Sequence, residues 1–80
     1  MEIAVKYFGI IADITHKKEE SFFIDDKSST LKSLQLKIEM KYPKILVINY
    51  SIAVNKKFLQ NDILLKNQDI IAFLPPFAGG

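Results

Sequence analysis

The sequence predicts an α+β domain in which a mixed sheet of four to five strands packs on one main helix. Three observations support this fold class. Residues 2–8 alternate between apolar and polar side chains, residues 29–42 carry an amphipathic helical pattern, and residues 69–74 form a strong final strand. A chain of 80 residues suits one domain, and its core is thin but workable.

The elements are predicted in the order strand, strand, helix, strand, strand. If the first and last strands are neighbours, we expect them to run parallel. The segment Lys44–Tyr50 is too short to distinguish a turn of helix from a strand. The four strands are expected at Glu2–Phe8, Glu20–Asp25, Ser51–Asn55 and Asp69–Leu74.

The main helix is predicted from an apolar stripe and from signals at both of its ends. Thr30 is the expected N-cap, with Ser29 as the alternative, and no capping box is predicted after it. Pro43 ends the helix near Tyr42, because a residue before proline avoids helical geometry. The stripe that faces the core consists of Leu31, Leu34 and Ile38.

Composition excludes several classes of function. All eleven basic residues are lysines and the net charge is only +2, so nucleic-acid binding is not expected. The chain has no cysteine, which rules out disulfides and thiolate sites and suits a reducing cytoplasm. No signal peptide is evident, and no apolar run approaches the roughly 18 residues of a membrane span.

Residues for conventional catalysis are few. His16, the single histidine, lies in a polar turn and is expected to be solvated. Asp25 and Asp26 precede the predicted helix, and their negative charge is favourable near its positive N-terminus, so we do not interpret them as a catalytic pair. The sequence has no glycine-rich phosphate loop. We therefore expect no active site and no metal site in the interior.

The C-terminal segment carries the one distinctive chemical handle. Residues 1–74 are expected to form the domain and residues 75–80 an extended, flexible tail, because Pro75 and Pro76 hold the backbone extended at roughly 3.1 Å per residue. Glycine lacks a Cβ, so a partner can close around a terminal Gly79–Gly80 in a narrow channel. The Gly80 carboxylate is inert until activated, and adenylation by a partner enzyme would activate it.

Four sequence stretches together resemble the MoaD/ThiS family of ubiquitin-like sulfur carriers, and in particular the small subunit of molybdopterin synthase. They are "VKYFG" near the start, "IAVN" before a turn, the approach "KNQDIIAFL" and the end "LPPFAGG". The resemblance covers the whole chain and implies the β-grasp, or ubiquitin-like, fold.

The resemblance implies a role as a carrier with no cofactor and no catalytic groups of its own. The Gly80 carboxylate would be adenylated by an E1-like adenylyltransferase, which binds the ATP and Mg²⁺, and a sulfur donor would convert it to a thiocarboxylate. The tail would enter the large subunit of a cytoplasmic, heterotetrameric molybdopterin synthase and donate sulfur to a pyranopterin precursor in molybdenum cofactor biosynthesis. Phe8 and Leu74 would contact the partner. The residues in its channel would be Pro75, Pro76, Phe77, Ala78 and Gly79.

Two positions depart from the family pattern. Phe77 is bulkier than the usual valine-like residue and would lie at the mouth of a tight channel. Asn67, where the family often has glycine, would adopt left-handed geometry.

Three alternatives stay open from the sequence. The chain could carry sulfur to another product, such as thiazole or a thiolated tRNA base. It could be a protein modifier, in which a lysine amine attacks the activated Gly80. It could be a plain interaction module with an incidental tail.

Overall fold

The architecture of the computed structural model, which describes residues 1–25, 29–59 and 61–76, is a five-stranded mixed sheet with one main helix on one face. The predicted α+β class is confirmed. The strands are β1 (Glu2–Tyr7), β2 (Glu19–Phe23), β3 (Ser51–Val54), β4 (Lys57–Phe58) and β5 (Ile70–Leu74). The helices are α1 (Gly9–Thr15), α2 (Leu31–Lys41) and a 3-10 helix, Pro43–Val47.

The sheet has the strand order β2-β1-β5-β3-β4, so the last strand in sequence is the central one. Strands β1 and β5 pair in parallel, as predicted, and the other three pairs are antiparallel. In this register Tyr7 lies opposite Phe73 and Ser51 lies opposite Leu74. The ends of three strands therefore meet where β5 finishes.

The core lies between α2 and the sheet face that α2 covers. The predicted helical stripe of Leu31, Leu34 and Ile38 is buried. It packs with alternate residues of β1 and β5, because successive side chains of a strand point to opposite faces. The strand residues of this core that are fully buried include Ile3, Val5, Ile71 and Phe73.

Thr30 is the N-cap of helix α2, as predicted, but the prediction that no capping box follows it was wrong. The Thr30 hydroxyl accepts a hydrogen bond from the Ser33 amide at 3.2 Å, and the Ser33 hydroxyl accepts one from the Thr30 amide at 3.1 Å. Serine at this position closes the box in place of the usual glutamate or glutamine. The ambiguous segment after Pro43 is the 3-10 helix, with Ile45 buried.

The turns account for the other differences from the sequence prediction. The predicted left-handed Asn67 is wrong, since Gln68 takes that conformation with φ 70°. Asn67 instead accepts a hydrogen bond from the Glu2 amide at 2.8 Å through Oδ1. The turn at Asn55 and Lys56, both with positive φ, leads into the short strand β4, which the sequence analysis did not separate.

A cluster of polar side chains around Glu20 ties β2 to β1 and α2. The Glu20 carboxylate, whose side chain is 9% exposed, accepts hydrogen bonds from the Tyr7 hydroxyl at 2.8 Å and the Tyr42 hydroxyl at 3.0 Å. It also pairs with Lys41 and with Lys17. Burial acts to raise the pKa of Glu20, but these hydrogen bonds outweigh it and lower the pKa to about 2.

We expect Glu20 to make stability pH-dependent in acid. Its folded-state pKa of about 2 lies below its ordinary value of 4.5, so the unfolded chain binds more protons between these two values. The stabilisation is therefore present above pH 4.5 and is lost as the pH falls toward 2. Glu20→Gln should lower the free energy of unfolding at neutral pH by about 1–3 kcal/mol and flatten its acid dependence.

Denaturant unfolding at a series of pH values measures this effect. Glu19→Gln is the matched control, because Glu19 is the exposed neighbour on the same strand and should leave the profile unchanged. A Glu20→Gln profile that follows the native one through the acid range would contradict the assignment.

Candidate tail exit and partner-binding surface

The exit of the C-terminal tail is set by the paired ends of β1 and β5. The Phe8 amide continues the ladder by donating a hydrogen bond to the Phe73 carbonyl at 3.2 Å. Strand β5 ends at Leu74, and Pro75 and Pro76 follow outside it. This agrees with the inability of proline to donate to a ladder. The tail therefore starts at the end of the central strand of the sheet.

Phe73, the last core residue before the tail, is packed between two tyrosine rings. Its ring makes an edge contact with Tyr7 at 6.0 Å between centroids and stacks on Tyr50 at 5.0 Å. The Tyr50 hydroxyl bonds the Glu39 carboxylate and accepts from Gln35 Nε2 at 2.8 Å. Burial and the bond to Glu39 raise the pKa of Tyr50 to about 12, so this ring stays neutral at physiological pH. The base of the tail is firmly anchored.

The sheet face opposite α2, called here the open face, carries both residues that were predicted to contact a partner. The Phe8 side chain is 44% exposed, at the end of β1, and Leu74 is half-buried at the end of β5. Both belong to the face that α2 does not cover, since their neighbours Tyr7 and Phe73 point into the core. The two apolar side chains thus lie on the same surface as the start of the tail.

Three further apolar residues of the open face were missed by the sequence analysis, and one of them, Phe23 at the end of β2, is 76% exposed. Ile70 is 41% exposed, and Phe58 is 60% exposed on β4 opposite Ala53. The uninterrupted apolar run of β5 was the available signal for Ile70, because a strand with both faces apolar is typically covered on both. Lys6 lies at the centre of this face opposite Ala72, and the other central side chains are small: Ala4, Ala53 and Ala72. An apolar surface of this kind is typical of a protein-binding site.

A groove of about 430 Å³ adjoins Phe8 on the side of β2. Exposed Lys18 and half-buried Lys6 bring positive charge to it, and Glu19 lies opposite Lys6 across the two strands. Its lining comprises Lys6, Tyr7, Phe8, Gly9, Ala12, Lys18 and Glu19. The groove extends the open face toward the first turn of α1.

The remaining sequence predictions divide between the described residues and the segments outside them. Phe77, Ala78, Gly79 and Gly80 lie outside the described residues, as does Asp26. His16 is exposed at the end of α1. Within residues 1–25, 29–59 and 61–76, no group of three or more His, Asp or Glu side chains could hold a metal ion. In the same part of the chain, no helix is both long and apolar enough to span a membrane.

The sheet order, the single main helix beside the sheet and the tail at the end of β5 define a ubiquitin-like β-grasp protein. Solved structures share this fold. The putative molybdopterin converting factor subunit 1 from Pyrococcus furiosus has a TM-score of 0.86 at 22% identity, covering 96% of this chain and 99% of that one. SAMP1 from Haloferax volcanii has a TM-score of 0.83 at 16% identity, with complete coverage of both chains.

The sequence pattern of the ThiS family matches residues 5–80, and the chain belongs to this family. It is therefore a ubiquitin-like sulfur carrier of the MoaD/ThiS type, as the sequence resemblance implied. A chain of the protein–protein complex of subunits 1 and 2 of molybdopterin-converting factor from Helicobacter pylori is 35% identical. That match covers 100% of both chains with a TM-score of 0.69.

Proposed function

We propose that this chain is the sulfur-carrying small subunit of molybdopterin synthase and acts in molybdenum cofactor biosynthesis in the cytoplasm. The observation that carries the proposal is the position of the tail, which begins beside Phe8 and Leu74 on an exposed apolar face. A partner that covers this face receives the C-terminal residues at the same time. The Helicobacter pylori complex, which contains subunits 1 and 2 of molybdopterin-converting factor, supports a large-subunit partner.

The chemistry would begin at the Gly80 carboxylate. This group attacks the α-phosphorus of ATP on an E1-like adenylyltransferase, and pyrophosphate leaves. A sulfur donor at the oxidation level of sulfide then attacks the acyl carbon, so that a carbon–sulfur bond forms and AMP departs. The product is a C-terminal thiocarboxylate. Activation is required because the free carboxylate is ionised and unreactive toward nucleophiles at neutral pH.

The second half of the reaction would take place on the large subunit. The thiocarboxylate sulfur attacks a carbon of the pyranopterin precursor, and a carbon–sulfur bond forms as the bond from that carbon to an oxygen substituent breaks and the oxygen leaves with the electron pair. Water then cleaves the bond between this sulfur and the Gly80 acyl carbon, which restores the carboxylate. The partners supply ATP, Mg²⁺ and the catalytic groups, and this chain supplies the docking surface and the tail. We accordingly expect no turnover by this chain alone.

Intact-protein mass spectrometry tests the proposal directly. The chain is incubated with its E1-like enzyme, MgATP and sulfide, and the C-terminal peptide is then analysed. We expect one oxygen to be replaced by sulfur in that peptide. The sulfur should be lost from the peptide when the large subunit and the pyranopterin precursor are added. An unshifted mass, with an enzyme that is active on another carrier, would overturn the proposal.

The same samples distinguish the alternatives. A thiocarboxylate that passes to a thiazole precursor or a tRNA base, but not to the pyranopterin, would identify a different acceptor. Adducts between Gly80 and lysine amines would identify a protein modifier. Retention of partner-dependent function by a chain without Gly79 and Gly80 would identify a plain interaction module.

A further inference from the structure

Gly9, at the junction of β1 and α1, lies in unusually close contact with the first residue of the tail. A Cβ placed on Gly9 would lie 2.8 Å from Cγ of Pro75, a distance that real Cβ atoms essentially never show. The Cβ and Cδ atoms of the same proline would be at 3.7 Å, which is ordinary contact. The proline ring thus occupies the space that a side chain at Gly9 would need.

We propose that Gly9 is a positioning residue for sulfur transfer: its missing side chain forms the seat for Pro75 and so fixes the direction in which the tail leaves the sheet. This inference rests on the proposed function, because it gives the seat a purpose only if the tail must reach a partner's active site. Gly9 touches neither substrate nor reacting atoms, and it acts through Pro75.

Backbone conformation alone does not account for glycine at this position. Gly9 has a φ of 56°, a value that favours glycine. However, the described chain accepts larger residues at comparable angles, with φ of 60° at His16, 49° at Asn55, 73° at Lys56 and 70° at Gln68. What distinguishes Gly9 is the proline ring, which occupies the position that a Cβ on this residue would take.

The seat acts on a segment whose other end is already fixed. Upstream of Pro75, the Phe73 ring is packed between Tyr7 and Tyr50, and the Phe73 carbonyl accepts the Phe8 amide. Proline also holds its own φ near −65°. With Phe73 anchored and the Pro75 ring seated on Gly9, the direction of the chain at this point has little freedom left.

Direction at the base matters because an extended tail amplifies it. Five residues beyond Pro75 span roughly 15 Å in an extended conformation. A tilt of about 10° at the base therefore displaces the tip by roughly 3 Å, and a misplacement of about 1 Å can cost a hundredfold in rate. The seat would restrict the directions that the tip of the flexible tail samples and so favour those that lead to the partner.

The direction of the tail can be measured on the free protein by paramagnetic relaxation in NMR. The native chain has no cysteine, so a single nitroxide can be attached at Lys18→Cys or at Asn49→Cys. These exposed positions precede β2 and β3 and lie on opposite sides of the end of β5. The ratio of the broadening of the Gly79 and Gly80 amides from the two labels reports the direction of the tail.

Three variants test the seat through this ratio. Gly9→Ala crowds Pro75, Pro75→Ala empties the seat without altering Gly9, and the double variant restores contact because the added methyl replaces the lost ring atoms. We expect each single variant to change the ratio at least twofold and the double variant to lie closer to the native value than either. If Gly9→Ala fails to fold, Pro75→Ala alone still decides the question. A native ratio in a folded single variant would overturn the proposal.

Transfer kinetics provide the second readout. The substrate of the large subunit is the carrier that bears the C-terminal thiocarboxylate. With this substrate, Gly9→Ala should lower kcat/KM at least tenfold. In the double variant, the Pro75→Ala change should restore part of this loss. A shift in the NMR ratio with no loss of transfer would overturn the role of Gly9 in positioning. If neither the native chain nor any variant acquires sulfur, the proposed function is refuted. If the NMR ratio still behaves as expected in that case, the contact between Gly9 and Pro75 still sets the direction of the tail.

Discussion

Deletion of Gly79 and Gly80 is expected to abolish formation of the thiocarboxylate and all sulfur transfer, while the domain stays folded. The shortened chain still ends in a carboxylate, now on Ala78, so the chemical group is kept and only its reach and shape change. Two extended residues amount to roughly 6 Å. Reacting atoms must approach to about 3–3.5 Å, so a carboxylate withdrawn by this distance cannot reach the nucleotide or the acceptor.

Mass spectrometry measures how much thiocarboxylate the truncated chain acquires, and a sulfur-transfer assay measures how much it passes on. Thermal unfolding tests whether the domain stays folded. Among residues 1–25, 29–59 and 61–76, the core and the strands end at or before Leu74, so we expect the melting temperature to be unchanged. Lys56→Ala, in the exposed turn between β3 and β4, is the control that should transfer sulfur at the native rate. A truncated chain that acquires sulfur as fast as the native one would refute the role of the tail.

Substitution of Phe8 by lysine is expected to weaken binding to the large subunit about 30- to 1,000-fold. Loss of an apolar anchor from a desolvated interface typically costs about 2–4 kcal/mol. The lysine also brings a charge to a surface that a partner would bury. Because the Phe8 side chain is 44% exposed in the free chain, its replacement should have little effect on folding. Calorimetry or surface plasmon resonance would give the dissociation constants.

Phe23→Lys is the matched control for this experiment. Phe23 is 76% exposed on the same face of the sheet, but it lies opposite Glu2, at the end of β1 remote from the tail. It should bind the partner with nearly native affinity. Equal weakening by both substitutions would show that general surface charge, not the position of Phe8, controls binding. An unfolded Phe8→Lys variant would place Phe8 in the core instead.

The sequence predicted the features that depend on local periodicity. Alternation defined β1, the spacing of Leu34 and Ile38 defined the covered face of α2, and Pro43 marked the end of that helix. Phe8 lies on the same strand face as Glu2 and Lys6, and this alternation by itself separates it from the core residues of β1. These features could be predicted because each depends on residues a few positions apart.

Contacts between distant parts of the chain could not be predicted in this way. The Glu20 cluster joins three segments, with Tyr7 and Tyr42 converging on one carboxylate. The close approach of Gly9 and Pro75 likewise depends on parallel pairing between the two ends of the chain. Strand β4 is two residues long and becomes a strand only by pairing with β3, so its own sequence gives no periodic signal.

The insertion of β5 between β1 and β3 means that the sheet can close only after residues 70–74 have been synthesised. Until residues 70–74 have been made, β1 and β3 each lack the neighbour that fills the gap between them, and the nascent chain exposes two unpaired strand edges. A prematurely terminated chain therefore lacks both the closed sheet and the docking surface. On the proposed function, a chain that stops before residue 70 would also lack the surface by which the partner is expected to bind it.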